Sequence, residues 1–114
     1  MDQMVWQYIK KQKSTLPRNI NMDEETKEIL VILQEECAEV IVEVSKCFRF
    51  GPDQCMTGSN DTNLQRLQKE LGDLQAMIQL LAEKEVGVSY EGIDLGRRAK
   101  LEKLKQWSNI RINK

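Results

Sequence analysis

The chain is predicted to be all-α, a helical bundle of about four main helices, and three features predict it. Glutamates and apolar residues recur every three or four positions through residues 23–50 and again through 63–85, the spacing of one helix face. Turn-forming residues interrupt the pattern at Leu16-Pro17-Arg18-Asn19, at Gly51-Pro52 and at Gly87. Strand signals are absent: the run from Ile29 to Leu33 alone would pass for a strand, but the carboxylates around it keep the helical period.

Taken in order, residues 1–13 are expected to form a short first helix with Met4, Val5, Tyr8 and Ile9 on one face. The second helix starts near Asp23, a good N-cap, with Glu24 and Glu25 against the positive end of the helix dipole. It runs to about Phe50, where Gly51-Pro52 stops it. Residues 51–62 read as a polar loop, and Thr62 with Gln65 has the form of a capping box. A third helix follows over about 63–85 and a fourth over about 91–107. No repeat or second domain interrupts the 114 residues, so 1–114 is read as a single domain. A core of that size is modest, and a partner subunit is expected to cover what one chain leaves exposed, as a homodimer or homotetramer.

Composition narrows the function. With 31% charged and 40% hydrophobic residues the chain is globular rather than disordered. A net charge of −1 argues against a nucleic-acid partner. No apolar run approaches the roughly 20 residues of a membrane helix, and the N-terminus has no signal-peptide pattern. Cys37, Cys47 and Cys55 form no Cys-x-x-Cys, and an odd number fits a reducing, cytoplasmic location. The chain has no histidine, which excludes a histidine triad, a His-ligated zinc site and a Glu-x-x-His di-iron bundle.

Carboxylates carry the chemistry that remains. The second helix holds Glu35-Glu36-Cys37-Ala38-Glu39 with Glu43 one turn later, and the third holds Glu70-Leu71-Gly72-Asp73. Glu36, Glu39 and Glu43 share a face beside a stripe of Leu33, Cys37, Val40 and Val44. Glu70 and Asp73 share one beside Leu67, Leu71, Leu74 and Ile78. If the two stripes pack into one core, the carboxylate pairs meet at its flank, where like charges need a hard divalent cation such as Mg²⁺. Glu24, Glu25, Glu28, Glu83 and Glu85 are read as solvated, and Glu43 as either solvated or supporting the ligands.

Glu-Glu-Cys-Ala-Glu, then about 30 residues, then Glu-Leu-Gly-Asp resembles the EExxE…ExxD signature of the MazG-type all-α nucleoside triphosphate pyrophosphohydrolases, over roughly residues 30–82. The short chain is similar to compact single-domain members, phage-encoded ones included. The resemblance implies Mg²⁺- or Mn²⁺-dependent cleavage of a nucleoside triphosphate to the monophosphate and pyrophosphate. It implies metal ligation by Glu36, Glu39, Glu70 and Asp73, with Glu35, Glu36 and Glu39 as the catalytic group. The loop between the motifs is longer than in the shortest relatives.

A triphosphate also needs cations. Arg97, Arg98 and Lys100 lie in the densest basic run, with Lys46 and Arg49 as the nearest alternatives, and there is no P-loop. Trp6, Tyr8, Asn19 and Asn21 are the candidates for a base pocket. The substrate is expected in the (d)NTP pool, with a purine deoxynucleotide such as dGTP as the first guess. The alternatives are a dUTPase-like or phosphoribosyl-ATP pyrophosphohydrolase of the same superfamily, and a non-catalytic helical interaction module.

Overall fold

The structure is a computed structural model and describes residues 22–112. The first helix expected over 1–13, with Trp6, Tyr8, Asn19 and Asn21, lies outside the described residues. Three helices are present among those described: α1, Glu24–Phe50; α2, Asn63–Glu83; and α3, Tyr90–Trp107. No strand is present among them, only an isolated antiparallel bridge between Cys55 and Thr62. No described helix is long and apolar enough to cross a membrane. Met22–Lys84 forms one compact unit, and the chain from Glu85 belongs to another.

Capping chemistry sets the ends of α1. The Asp23 carboxylate accepts a hydrogen bond from the N–H of Thr26 at 2.7 Å, satisfying one of the orphan donors of the first turn. At the other end Gly51 sits at φ 99°, ψ 145°, a conformation essentially reserved for glycine, and its N–H closes onto the Cys47 carbonyl. The chain then leaves the helix axis at Pro52, which cannot continue it.

The loop that follows is fastened by the backbone of α2. Asn63 and Leu64 donate their N–H groups to the carbonyls of Gln54 and Pro52, at 2.9 and 3.1 Å. The expected capping box is present: Thr62 Oγ1 accepts from Gln65 N, and Gln65 Oε1 accepts from Thr62 N. In this way the loop supplies acceptors to a helix start that would otherwise hold unpaired donors. The second unit's α3 is capped by Ser89, which accepts from Gly92 N at 3.0 Å, and closes on Ser108.

α1 and α2 form an antiparallel hairpin, and its register can be followed through side-chain pairs. Lys84 reaches back to Asp23 at 3.0 Å and to Glu25 at 3.7 Å. Midway, Glu36 meets Glu70 and Asp73. Nearer the loop, Glu43 meets Arg66. The buried line of α1 runs through Thr26, Ile29 and Glu43, with Glu36 and Val40 half-buried between them and Cys47 half-buried beyond.

That line differs from the apolar stripe expected from the sequence. Leu33 and Val40 are half-buried, as are Leu67, Leu74 and Ile78, but Cys37, Val44 and Leu71 are exposed. The helix is turned toward its carboxylates, so Glu36 and Glu43 lie on the packed side. Cys37, Ile41, Val44 and Phe48 are left as an outward apolar row on α1, and Leu64 and Leu71 on α2. Phe48 is 87% exposed and Ile41 69%, unusual for side chains whose burial stabilises a fold.

Glu43 is 3% exposed and holds two cations: Lys46 Nζ at 3.1 Å from Oε1 and Arg66 Nε at 3.7 Å from Oε2. A carboxylate this deep persists only with such partners. Glu43→Ala should therefore cost about 3 kcal/mol in urea unfolding, the low end for a buried pair, because Lys46 and Arg66 are both partly exposed. Glu43→Gln should cost less.

At the open end of the hairpin, the Thr26 side chain is fully buried beside Asp23. Together the Thr26 side chain, its N–H and the Lys84 ammonium hold the Asp23 carboxyl at about 2, against an ordinary 3.8. A depressed carboxyl contributes stability above its unfolded pKa and loses it as pH falls through its folded one. The melting temperature should fall between about pH 4 and pH 2. Asp23→Ala should melt below the parent at pH 7, with the gap closing near pH 2.

Candidate functional site

Three of the four carboxylates expected to bind metal converge between the two helices. One oxygen each of Glu36, Glu70 and Asp73 lies within 4.8 Å of the others. The helical period places Glu70 and Asp73 one turn apart on α2, and the antiparallel register sets both against Glu36. Glu36 and Glu70 are half-buried and Asp73 exposed, so the cluster opens to solvent on one side.

Its electrostatics are unfavourable as it stands. Burial pushes the Glu70 carboxyl up; the charge of Asp73, a hydrogen bond with Glu36, and the charges of Glu36 and Glu39 push it the same way. Glu36 Oε2 is buried without a hydrogen-bond partner among the described residues. A buried carboxylate oxygen with no donor costs free energy. Oxygen-only donors of this spacing suit a hard divalent cation, whose opposed ligands stand roughly 4.2 Å apart, with a small rotamer adjustment.

Glu39 is exposed on the edge of the same face, close enough to act on Glu70 but outside the three-oxygen group. Glu35 is exposed on the outer side of α1. The glutamates expected to be solvated (Glu24, Glu25, Glu28, Glu83 and Glu85) are all exposed.

The cations divide between the two units. Lys46 is committed to Glu43. Arg49 lies over the Phe50 ring, 5.0 Å from its centroid. On α3, Arg97 donates through Nε and Nη2 to Asp94 Oδ1 at 3.0 and 2.8 Å, and Arg98 Nε stands 3.1 Å from Oδ2. These guanidinium groups, Arg97 first, hold the Asp94 carboxyl below its ordinary range. Lys100 is exposed on the same helix.

Two features had escaped the sequence reading. Arg66 sits one turn before Glu70 on the same side of α2, and that spacing alone would have drawn it in had its partner Glu43 been known to be buried. The second is a cleft of about 390 Å³ at the loop end of the hairpin, lined by Lys46, Phe50, Gln54, Cys55, Met56, Thr57 and Asn63. Loop residues give it one wall, and no periodicity marks them. Comparison of the chain with protein-family models, with curated proteins and with solved structures finds no match.

Proposed function

We propose that the chain is a Mg²⁺-dependent nucleoside triphosphate pyrophosphohydrolase of the MazG type, with the divalent cation held by Glu36, Glu70 and Asp73 and by Glu39 at their margin. One observation carries the reading: Glu36, Glu70 and Asp73 bring an oxygen each within 4.8 Å, with a buried Glu36 oxygen that no donor satisfies. A structural role explains such a cluster poorly, because three carboxylates in a half-buried niche destabilise the fold that holds them.

The bound cation supplies charge neutralisation and Lewis acidity toward phosphate oxygens. The reaction breaks the anhydride bond between the α- and β-phosphorus, and the oxygen of water becomes part of the monophosphate or of the pyrophosphate. Glu39, exposed beside the cluster, would take the proton that the attacking water releases. Within the hairpin unit, Arg49 and the remaining N–H donors of Lys46 are the cations offered to phosphate oxygens, where charge-assisted hydrogen bonds are strong. Mn²⁺ is expected to substitute for Mg²⁺. The exposed row of Cys37, Ile41, Val44 and Phe48 gives a second copy of the chain a surface to cover, which supports a dimer or tetramer.

The reading is tested by incubating the protein with each common (d)NTP and Mg²⁺ or Mn²⁺, and measuring pyrophosphate against phosphate. Pyrophosphate release is expected. Glu39→Gln and Asp73→Asn should each lower kcat by at least 100-fold, about 2.7 kcal/mol, with the helical circular dichroism unchanged. Turnover near that of the parent at saturating Mg²⁺ would remove these residues from the chemistry.

The cluster's repulsion gives a second, activity-independent check. Glu70→Gln should raise the melting temperature of the metal-free protein by a few degrees, because it removes one of the crowded charges. Millimolar Mg²⁺ should raise the parent's melting temperature by mass action on the folded state and should do so far less in the variant.

A further inference from the structure

We propose that the cleft at the loop end of the hairpin is a nucleobase pocket, with Phe50 as its stacking surface and Asn63 as its polar reader. This rests on the pyrophosphohydrolase reading for the identity of the ligand, but the cleft is separate from the carboxylate cluster.

The order of chemistries along one side of the hairpin leads to it. α1 presents Glu36, Glu39, Glu43, Lys46 and Phe50 at steps of three and four residues, so they form a single line along the helix. α2, running the other way, presents Asp73, Glu70, Arg66 and Asn63. Read from mid-hairpin toward the loop, both lines pass from carboxylates, to cations, to an aromatic ring and an amide. A metal-bound nucleoside triphosphate has the same sequence of needs: ligands for its metal, cations for its phosphates, a flat apolar wall and a hydrogen-bonding edge for its base. On α2 seven residues separate Glu70 from Asn63, about 10 Å along the helix, a distance that phosphates and sugar bridge between a clamped phosphate and its base.

The cleft has the make-up of a small-ligand site. Its volume, about 390 Å³, falls in the range of such pockets, and it combines apolar walls with a few convergent polar groups. Phe50 is 56% exposed, and with Arg49 over one face of its ring the opposite face is the one left for a base. Aromatic side chains stack on bases because every base has a π-face.

Asn63 supplies the specificity. It is 4% exposed, and its Nδ2 donates to the Gly51 carbonyl at 2.8 Å. Because a carbonyl can only accept, the amide is fixed in that orientation, and Oδ1 is the acceptor it offers a ligand. An acceptor there calls for a donor on the base, a ring N–H or an exocyclic amino group. Gln54, held in the loop by the Gly51 carbonyl on one side and Asn63 N on the other, adds a second amide at the rim. Lys46, tied to Glu43, stands between this amide pair and the carboxylates.

The experiment is a ¹⁵N–¹H titration of the full chain in Mg²⁺ with dAMP, dGMP, dCMP and dTMP, and with inorganic triphosphate as the base-free comparator. At least one monophosphate should shift residues 50–57 and the Asn63 side-chain amide, whereas inorganic triphosphate should leave them in place. Phe50→Ala should weaken binding of that monophosphate at least fivefold and change triphosphate binding by less than twofold. Gln54→Ala, on an exposed loop residue, gives a second variant should Phe50→Ala disturb the fold. Monophosphate binding with shifts outside the loop end, or equal effects of Phe50→Ala on both ligands, would overturn the pocket while leaving the pyrophosphohydrolase reading intact. Base-dependent shifts at the pocket in a protein that releases no pyrophosphate would uphold the pocket and refute the activity. No binding of any monophosphate at millimolar concentration refutes the pocket.

Discussion

Packing α1 against α2 brings Glu36, Glu70 and Asp73 together at mid-length, and the same register that causes this collision decides every other pairing along the hairpin. It sets Lys84 against Asp23 at one end and Arg66 against Glu43 toward the other. A hairpin held only by apolar contacts could slide by a turn at modest cost, because leucine, isoleucine and valine exchange places within a core. Charged pairs are less forgiving. A shift of one turn would leave Glu43 buried without Arg66, which costs more than the repacking gains, and would move Lys84 away from Asp23.

Along that register the electrostatic environment changes sign over a short distance. The mid-hairpin cluster is acidic enough to raise the Glu70 carboxyl by burial and by the charge of its neighbours. One to two turns on, Glu43 is over-compensated by Lys46 and Arg66, leaving an excess of positive charge beside the cleft. An elongated anion carrying its own cation would meet favourable potential at both. The low burial of the apolar row on α1 fits the same picture. Turning the helix so that Glu36 and Glu43 face inward is what turns Ile41 and Phe48 outward.

Much of the local structure was legible in the sequence, because it depends on residues three or four apart. The Asp23 cap, the Gly51 stop and the Thr62–Gln65 box were all read at their observed positions, and the α1 and α2 boundaries fall within two residues of those expected. The approach of Glu36 to Glu70 and Asp73 was expected from periodicity, on the condition that the two apolar stripes pack into one core. The rotation of α1 about its own axis did not follow, since the apolar and acidic faces are adjacent and the pattern fits either one facing inward. Cys37, Val44 and Leu71 were accordingly placed in a core they do not enter, and the burial of Glu43 was left open. The cleft was invisible for a different reason. Its wall is a loop whose shape comes from bonds between Pro52, Gln54, Asn63 and Leu64, groups that every residue possesses in its backbone.

That loop separates two kinds of evolutionary freedom. Its pinned stretches, at Gly51 to Gln54 and at Thr62 to Leu64, anchor the start of α2 and cannot be altered without loosening the helix. Its tip is tied only to itself, by the Ser59 N–H on the Met56 carbonyl, and Gly58 lies there at φ 83° with open space around the place a β-carbon would occupy. Loop tips of this kind accept insertions readily. A lineage could lengthen the chain at Gly58 and reshape the wall of the cleft while the carboxylates, on rigid helix a dozen or more residues away in either direction, kept their geometry. What the protein accepts and what it does to it would then be free to diverge on separate schedules.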